Sequence, residues 1–463
     1  MVRHHTLNHA RLSDNFKYLI DDHGERIDFD DPRVVHVWPI NTPLTMTRAI
    51  KALFNKRGWR FRFPGPTDIE TLQYARRLCS GRECLPCTAL TGDTYKDILH
   101  SREKNEISVY YNLNQEGPCQ NGGWTIIWDT FRARLRHENV IFMAYPCITT
   151  NFMGQGDLFA LDFAIAIALG DIFEEAEGSL TLLARNPAEA GHLFKRYTDH
   201  VIESIPRGLI SLKKALDRWI SVMKQVPLKA SLAEIPKILL FGGLNIIYIH
   251  HTISQFFQKQ GIIAKVVDFS EGASWLTSEH VTRFGAERGL MEPPPQYRLL
   301  PLLFSMFNSQ RDLKHRFNAL RARVHLWGFD TLIHILRRYM GKSGLLYDLH
   351  TPFPRLARAG HRYASTNGFN ETSITVGRYR TSVQDGRFDG LVNIGAFNCQ
   401  PAMNAQAILR SLANTNDTPF VSIDCEGPFL SASQERLLET LAVQAKRHHQ
   451  NRRKNLSCTR RST

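Results

Sequence analysis

The chain has 463 residues, of which 43% are hydrophobic, so it can bury a sizeable core in two or three domains. It contains no run of about 18 apolar residues and its first residues lead into no apolar segment, so we expect neither a membrane span nor a secretory signal. Eight cysteines in such a chain indicate a reducing, cytoplasmic environment, where neighbouring cysteines are more often metal ligands or redox groups than disulfides.

Residues 1–32 are polar and carry no clear pattern, and a first alternation of strands and helices follows them. The strands predicted in it are 34–38, 107–111 and 140–144. A helix is predicted at 45–54. This alternation favours a parallel sheet with covering helices, and we assign residues 33–154 to a first α/β unit. Apolar residues at helical spacing then predict a helical region over 155–235.

A second alternation begins near residue 236. Its predicted strands are 238–241, 263–269, 390–394 and 420–423. Its predicted helices are 249–260, 401–412 and 433–446, with a helical insertion at 296–340. We assign residues 236–445 to a second α/β unit. The predicted fold class is therefore α/β, with two Rossmann-like parallel-sheet units and a helical region between them.

Much of the formal net charge of +14 is concentrated at the C-terminus. Residues 446–463 contain seven lysines and arginines and no acidic residue, so half of the net charge is local. A polar, basic terminus of this kind is typical of a solvated or disordered tail. Because no aromatic residue is interleaved with these charges, the pattern does not favour a nucleic acid as the main ligand.

The most informative motif is Cys84-Leu85-Pro86-Cys87, which precedes a predicted helical run at 90–99. A proline-stiffened Cys-x-x-Cys loop holds two thiols at the spacing that a metal ion or an iron–sulfur cluster needs. Cys119 and Cys399 each follow a predicted strand, and ligands bind beyond the carboxyl ends of strands in open α/β sheets. We therefore expect these thiols to meet in a cleft between the two units. Helix N-termini nearby are expected to lower their pKa values.

The spacing of Cys84 and Cys87 alone leaves other interpretations open. The pair could also be a redox dithiol or have no chemical role. Cys79 completes a ferredoxin-like spacing with the pair, but its helical flanks argue against a ferredoxin domain. The remaining cysteines are interpreted as small buried hydrophobic residues or as inert, namely Cys147, Cys425 and Cys458.

Taken together, these segments resemble the 2-hydroxyacyl-CoA dehydratase-like component of large CoA-substrate-specific enzyme activases. The matching segments are 83–87 with Gly92, 117–119, 237–261, 371–374, 389–394 and 397–401. Their order and spacing carry the resemblance, which covers about residues 34–445. It implies Rossmann-like α/β domains with cysteine-bound iron–sulfur chemistry in the cleft. Carried over by position, the implied ligands are Cys84, Cys87, Cys119 and Cys399.

The resemblance also implies a reaction. Dehydratases of this family use a low-potential electron, delivered with ATP hydrolysis by a partner activase, to form a substrate ketyl radical. A 4Fe–4S or double-cubane cluster, an activase partner and an acyl-CoA substrate are therefore implied for this chain. Four cysteines on one cluster would leave no iron open to substrate, which favours electron transfer over direct dehydration.

Two departures from the family qualify that picture. The stretch 120–124 reads Gln-Asn-Gly-Gly-Trp, where members have basic and aromatic residues. No ATPase domain precedes the cysteines, so we expect a stand-alone component or one piece of a split gene, as a homo- or hetero-oligomer. Two alternatives remain: a structural zinc that joins the two units while the basic tail binds nucleic acid or a partner, and a degenerate member without a cluster.

Overall fold

The computed structural model of the chain describes residues 9–13, 17–113, 119–145, 156–286, 313–348, 350–365 and 371–459. The strands within these ranges are β1 Arg11–Leu12, β2 Leu19–Ile20, β3 Arg26–Ile27, β4 Val34–Val37, β5 Arg60–Arg62, β6 Ile107–Leu113, β7 Val140–Tyr145, β8 Lys237–Phe241, β9 Ile263–Val266, β10 Gly390–Ala396 and β11 Phe420–Cys425.

Helices flank these strands along the described chain. The α-helices are α1 Leu44–Lys56, α2 Ile69–Arg76, α3 Leu85–His100, α4 Trp124–Leu135, α5 Asp157–Leu183, α6 Pro187–Ser204, α7 Leu209–Gln225, α8 His250–Lys259, α9 Phe269–Ala286, α10 Leu313–Met340, α11 Phe353–His361, α12 Thr372–Asp385, α13 Gln400–Ala413 and α14 Ala432–Thr459. Short 3-10 helices are Gln120–Gly123, Ile205–Arg207, Leu232–Glu234, Gly243–Tyr248 and Gly341–Ser343. Within this described part, no helix combines the length and apolarity needed to cross a bilayer.

Two four-stranded parallel sheets have the same strand order, which confirms the predicted α/β class. The first sheet runs β5-β4-β6-β7, and the second runs β9-β8-β10-β11 when read in the same direction. Counted within its own unit, each sheet therefore places its first strand between its second and third. Loops leaving the first and third strands diverge at such a switch point and open a crevice at the carboxyl edge of the sheet.

The central strands are predictable because helices cover both faces of a parallel sheet. All four residues of β4 are buried, as are all five of β8 and all seven of β10. The sequence runs Val-Val-His-Val and Lys-Ile-Leu-Leu-Phe thus carry apolar side chains on both faces instead of alternating with polar ones.

A close helix crossing also recurs in both units. In the first unit, a Cβ on Gly92 of α3 would lie 2.2 Å from the carbonyl oxygen of Thr71 on α2. In the second unit, a Cβ on Gly377 of α12 would lie 2.2 Å from the carbonyl oxygen of Leu356 on α11. Each crossing comes immediately before the third strand, and only glycine allows the two backbones to approach this closely.

The helical region joins the two units through α5. This helix packs against α1 of the first unit and against β9 and α9 of the second. Its Glu175 is buried and receives a 2.6 Å hydrogen bond from Arg337 on α10. Asp268, which precedes α9, binds the same guanidinium through two hydrogen bonds of 2.6 Å. A buried ionic group therefore connects three helices at the edge of the second sheet.

Several elements depart from the sequence prediction. The polar N-terminal segment contains three short antiparallel strands, β1 to β3. Each has only two residues, which is too few to show an alternating sequence pattern. The strand predicted at 263–269 ends at Val266, because α9 begins at Phe269. The insertion predicted at 296–340 is helical over Leu313–Met340, and its residues 296–312 lie outside the described ranges.

The basic tail, which we expect to be solvated or disordered, is not disordered over 446–459, because α14 continues to Thr459. Its basic face is anchored to the sheet: His449 Nδ1 and Arg452 Nη1 each lie 3.0 Å from a carboxylate oxygen of Asp389. Asp389 is itself buried and accepts the backbone N–H of Lys237. These contacts hold part of the predicted tail against the start of β8 and β10.

His36, in the centre of β4, should make stability depend on pH. Its Nε2 lies 3.0 Å from the carbonyl oxygen of Phe29, so it donates there, and its Nδ1 accepts from the Tyr111 hydroxyl at 2.7 Å. The ring is fully buried and stacks on Trp59, and burial lowers its pKa from 6.5 to about 4. Between about pH 4 and pH 6.5, His36 is therefore protonated in the unfolded chain but neutral in the folded chain.

We expect the free energy of unfolding to fall by about 3 kcal/mol as the pH drops from about 6.5 to about 4, because each pKa unit is worth about 1.4 kcal/mol. Urea denaturation at a series of pH values measures this slope. His36→Gln should flatten it, whereas His192→Gln, at an exposed position of α6, should leave it unchanged. Equal slopes in His36→Gln and the wild type would contradict the assignment.

Candidate functional site

The four predicted ligands lie at the beginnings of three helices. Cys84 is the N-cap residue of α3, Cys119 is the N-cap of the 3-10 helix that leads into α4, and Cys399 is the N-cap of α13. Cys87 lies inside the first turn of α3, so the helix begins earlier than the predicted run at 90–99. Pro86 explains this early start, since proline is well suited to the first turn of a helix.

Backbone contacts join the two units at these helix beginnings. The N–H of Leu85 donates to the carbonyl oxygen of Phe397 at 3.2 Å. The side-chain amide of Asn398 donates to the carbonyl oxygen of Arg82 at 3.2 Å. Asn398 has a positive φ of 57°, which turns the chain between β10 and Cys399. The Cys-x-x-Cys loop therefore meets the loop after β10, more than three hundred residues further along the chain.

Gln120 adds the third segment to this junction. Its Oε1 accepts the N–H of Cys84 at 2.9 Å, and its Nε2 lies 3.4 Å from the carbonyl oxygens of both Arg82 and Asn398. The Gln120 side chain therefore holds all three loops together. We call the space bounded by Cys84, Cys87, Cys119 and Cys399 the cysteine crevice.

The thiols of the cysteine crevice are close enough to influence one another's ionisation. Burial, together with the charge of Glu371, raises the pKa of Cys84 to about 11. Burial raises the pKa of Cys87 more strongly, with Cys84 contributing. Burial also raises the pKa of Cys399, to which Glu371, Cys84 and Cys119 add. The four sulfurs thus form one connected electrostatic group.

Burial outweighs the expected lowering by helix N-termini: the N–H groups of Cys87 and Ala402 do lower the pKa values of Cys84 and Cys399, but the net pKa of each thiol is raised. Removing the thiolates from water destabilises them by more free energy than the partial positive charges of the helix N-termini supply. The neighbouring carboxylate of Glu371 acts in the same direction as burial. Without a bound cation these cysteines are therefore neutral thiols at physiological pH.

Glu371 is a member of the site that the sequence analysis did not assign. Its Oε1 lies 3.9 Å from the Cys399 sulfur. Its carboxylate covers Gly243, where a Cβ would lie 2.5 Å from the carboxylate carbon. Glu371 is the N-cap residue of α12, the helix that precedes the third strand, and Cys84 holds the matching position in the first unit. Only the repeated strand order makes this correspondence visible.

The other cysteines take the places that their patterns indicate or lie outside the described residues. Cys79 is half-buried and contacts Thr88 and Thr91, and its proximity contributes to the raised pKa of Cys87. Its flanks are the helices α2 and α3, unlike those of a ferredoxin. Cys425 is buried, and its sulfur donates to the carbonyl oxygen of Gly427 at 3.3 Å. Cys147 and the pair Gly117-Pro118 are outside the described ranges.

Backbone N–H groups at the helix beginnings contact two of the sulfurs. The N–H of Cys87 contacts the Cys84 sulfur and the N–H of Ala402 contacts the Cys399 sulfur, and both contacts favour the thiolate form. Among the described side chains, no three of the His, Cys, Asp and Glu type converge closely enough to hold a single metal ion. Cys84, Cys87, Cys119 and Cys399 are the residues that could hold a cluster here.

A small pocket, with about 40 Å³ of space for water-sized molecules, adjoins the cysteine crevice at Glu371. It lies at the carboxyl ends of β8 and β9, and Glu371 lines it. The other charged and titratable side chains that line it are Glu174, His250, Asp268, Glu271 and Arg378. We call it the second-unit pocket. The sequence analysis missed it because its polar residues come from four helices and a loop that no motif connects.

Comparison with protein-family profiles finds no match, and comparison with curated proteins finds no similar sequence. The functional interpretation of this chain therefore relies on its own residues. The cysteine crevice and the second-unit pocket are the two features that a function must explain, because both lie at the switch point of the second sheet.

Proposed function

We propose that this chain is an iron–sulfur protein related to the 2-hydroxyacyl-CoA dehydratase components. In this proposal Cys84, Cys87, Cys119 and Cys399 hold a 4Fe–4S or double-cubane cluster. The protein takes a low-potential electron from an ATP-dependent activase and passes it to a substrate, for which an acyl-CoA thioester is the candidate. The observation that carries the proposal is the set of hydrogen bonds by which the Cys84 loop, Gln120 and the loop after β10 join cysteine-bearing helix beginnings of both units.

Electrostatics of the crevice supports a cluster. The buried thiols are neutral without a cation, so binding of iron must release their protons and replace them with positive charge. Burial and hydrogen bonds from backbone N–H groups to the sulfurs are two of the factors that set the reduction potential of an iron–sulfur cluster. Four cysteine ligands would leave no iron open, which favours a role in electron transfer.

The test is purification under strict anaerobiosis, followed by iron and sulfide analysis. We expect a brown protein that contains both elements. Cys84→Ser and Cys399→Ser should each lose most of the bound iron, because one ligand from either unit is removed. Cys425→Ser is the matched control: this cysteine is equally buried but lies outside the crevice, so its iron content should equal that of the wild type.

The same measurement separates the alternatives. A colourless wild-type protein without iron would overturn the proposal. Zinc without sulfide would indicate the structural zinc site, and neither metal would indicate a degenerate member. Equal loss of iron in Cys84→Ser and Cys425→Ser would show that unfolding, not ligation, explains the effect.

A further inference from the structure

A buried threonine hydroxyl lies between two of the cysteine sulfurs and an indole ring. Thr91 of α3 is 2% exposed and comes one helical turn after the buried Cys87, so the two side chains share one face of the helix. The indole Nε1 of Trp128 on α4 donates to the Thr91 hydroxyl at 2.9 Å. The same hydroxyl contacts the sulfurs of Cys87 and of the half-buried Cys79 closely enough for a hydrogen bond. One side chain therefore connects α4 to a proposed cluster ligand.

The chemistry of these groups sets the direction of each hydrogen bond. An indole nitrogen can only donate, so the Thr91 oxygen accepts from Trp128. The single hydrogen of the hydroxyl group therefore remains available for a sulfur. A thiolate accepts a hydrogen bond more strongly than a neutral thiol does, so ionisation of Cys87 draws this hydrogen to Cys87 and away from Cys79.

The indole that donates to Thr91 is held in place by its own packing. Trp128 is 2% exposed, and the centroids of its neighbouring rings lie 5.3 Å away for Phe142 of β7 and 6.2 Å away for Trp124. Because the packed indole cannot turn away, it keeps the Thr91 hydroxyl in one orientation. A donor that is already oriented needs no rearrangement when negative charge develops beside it.

We propose that Thr91 is a positioning residue for electron transfer: its hydroxyl, oriented by Trp128, donates to the Cys87 thiolate and favours the reduced state of the cluster that Cys87 helps to hold. We call Trp128, Thr91 and Cys87 the threonine relay. The assignment rests on the proposed function, because it concerns the same cluster. The electron from the activase adds negative charge, and a hydrogen bond to a ligand sulfur stabilises that charge. The threonine relay therefore raises the reduction potential.

The test is an anaerobic redox titration of the full chain, followed by electron paramagnetic resonance. Thr91→Val removes the hydroxyl, so the equilibrium constant for reduction should fall about tenfold, which is about 59 mV for a one-electron couple. Thr91→Ser keeps a hydroxyl and should stay within about twofold of the wild type. The matched control is Thr94→Val. Thr94 is a buried threonine of α3 whose hydroxyl has no hydrogen-bond partner among the described residues, so its loss should leave the potential unchanged.

Trp128→Phe tests whether the indole acts through Thr91. This variant should shift the potential in the same direction by a smaller amount, because the hydroxyl remains but is free to turn. The double variant Thr91→Val/Trp128→Phe should shift the potential no further than Thr91→Val alone, since two members of one relay are not expected to act additively. Additive shifts would show that the two residues act separately and would overturn the relay. A thermal melt confirms that each variant is folded.

A second measurement needs no iron. In protein with isotope-labelled tryptophan, the indole N–H resonance of Trp128, assigned through Trp128→Phe, should move upfield in Thr91→Val and stay in place in Thr94→Val. An unmoved resonance in Thr91→Val would remove Trp128 from the relay.

Iron analysis keeps the two proposals distinct. A wild-type protein without iron would overturn the proposed function and the redox role of Thr91 together. Iron-loaded protein in which Thr91→Val and Thr94→Val have the same potential would overturn the threonine relay and leave the cluster in place. Loss of most of the iron in Thr91→Val would assign Thr91 to cluster retention and would also overturn its role in setting the potential.

Discussion

Replacing Arg337 with leucine is expected to lower the free energy of unfolding by about 3–5 kcal/mol, because it would leave buried carboxylates without their cation. Arg337 is 4% exposed and binds Glu175 and Asp268 at 2.6 Å. Its Nη1 also lies 3.0 Å from the carbonyl oxygen of Asp348. Lys265 contacts both carboxylates but cannot replace the paired hydrogen bonds of the guanidinium.

The neighbouring arginine provides a matched control. Arg338 is the next residue of α10 but is exposed, so Arg338→Leu should change stability by about 0.5 kcal/mol or less. Urea denaturation followed by circular dichroism measures both variants. If the two variants unfold at the same denaturant concentration, the ionic group does not hold the helical region to the second unit.

Replacing Gly360 with alanine should destabilise the protein by about 3 kcal/mol or more, at the upper end of what overpacking costs. A Cβ at Gly360 would lie 1.7 Å from the carbonyl oxygen of Ser373 and 3.1 Å from the N–H nitrogen of Gly377. Backbone cannot rotate away as a side chain can, so α11 and α12 must separate. Because Ser373 is two residues from Glu371, we also expect this variant to retain less iron.

Gly191 of α6 is the matched helical glycine. No described atom lies within 4 Å of a Cβ placed there, so Gly191→Ala should stabilise the protein by about 0.5–1 kcal/mol through the helix preference of alanine. Thermal melts distinguish the two signs directly. A Gly360→Ala protein as stable as the wild type would mean that the two helices do not cross as closely as described.

The parts of the fold that could be predicted are the central strands, where burial of both faces requires an almost unbroken run of apolar residues. β4 and β8 are apolar on both faces, and the alternation around them indicates a parallel sheet. By contrast, α12 begins Thr-Ser-Ile-Thr-Val-Gly-Arg-Tyr-Arg, and almost all of these residues are buried. The helix tolerates burial of such polar residues because Arg378 and the hydroxyl group of Thr381 form hydrogen bonds inside the protein. Composition alone cannot anticipate such pairing, so this helix was missed.

The candidate site could likewise be predicted only in part. The rule that ligands collect at the carboxyl ends of strands correctly brings the Cys84 loop to the loop after β10. The same rule says nothing of how deeply the thiols are buried, and for that reason it does not predict that burial outweighs the lowering by helix N–H groups. Glu271 is missed for a related reason: its raised pKa depends on Asp348 and on the burial that tertiary packing supplies.

The repeated strand order has a mechanical consequence. Neither unit alone carries the whole crevice, since Cys119 follows the third strand of one sheet and Cys399 follows the third strand of the other. The crevice therefore lies between two units of the same strand order, with Cys84 and Glu371 at matching N-cap positions. A small hinge rotation of one body against the other would change the sulfur separations more directly than any change within a single unit.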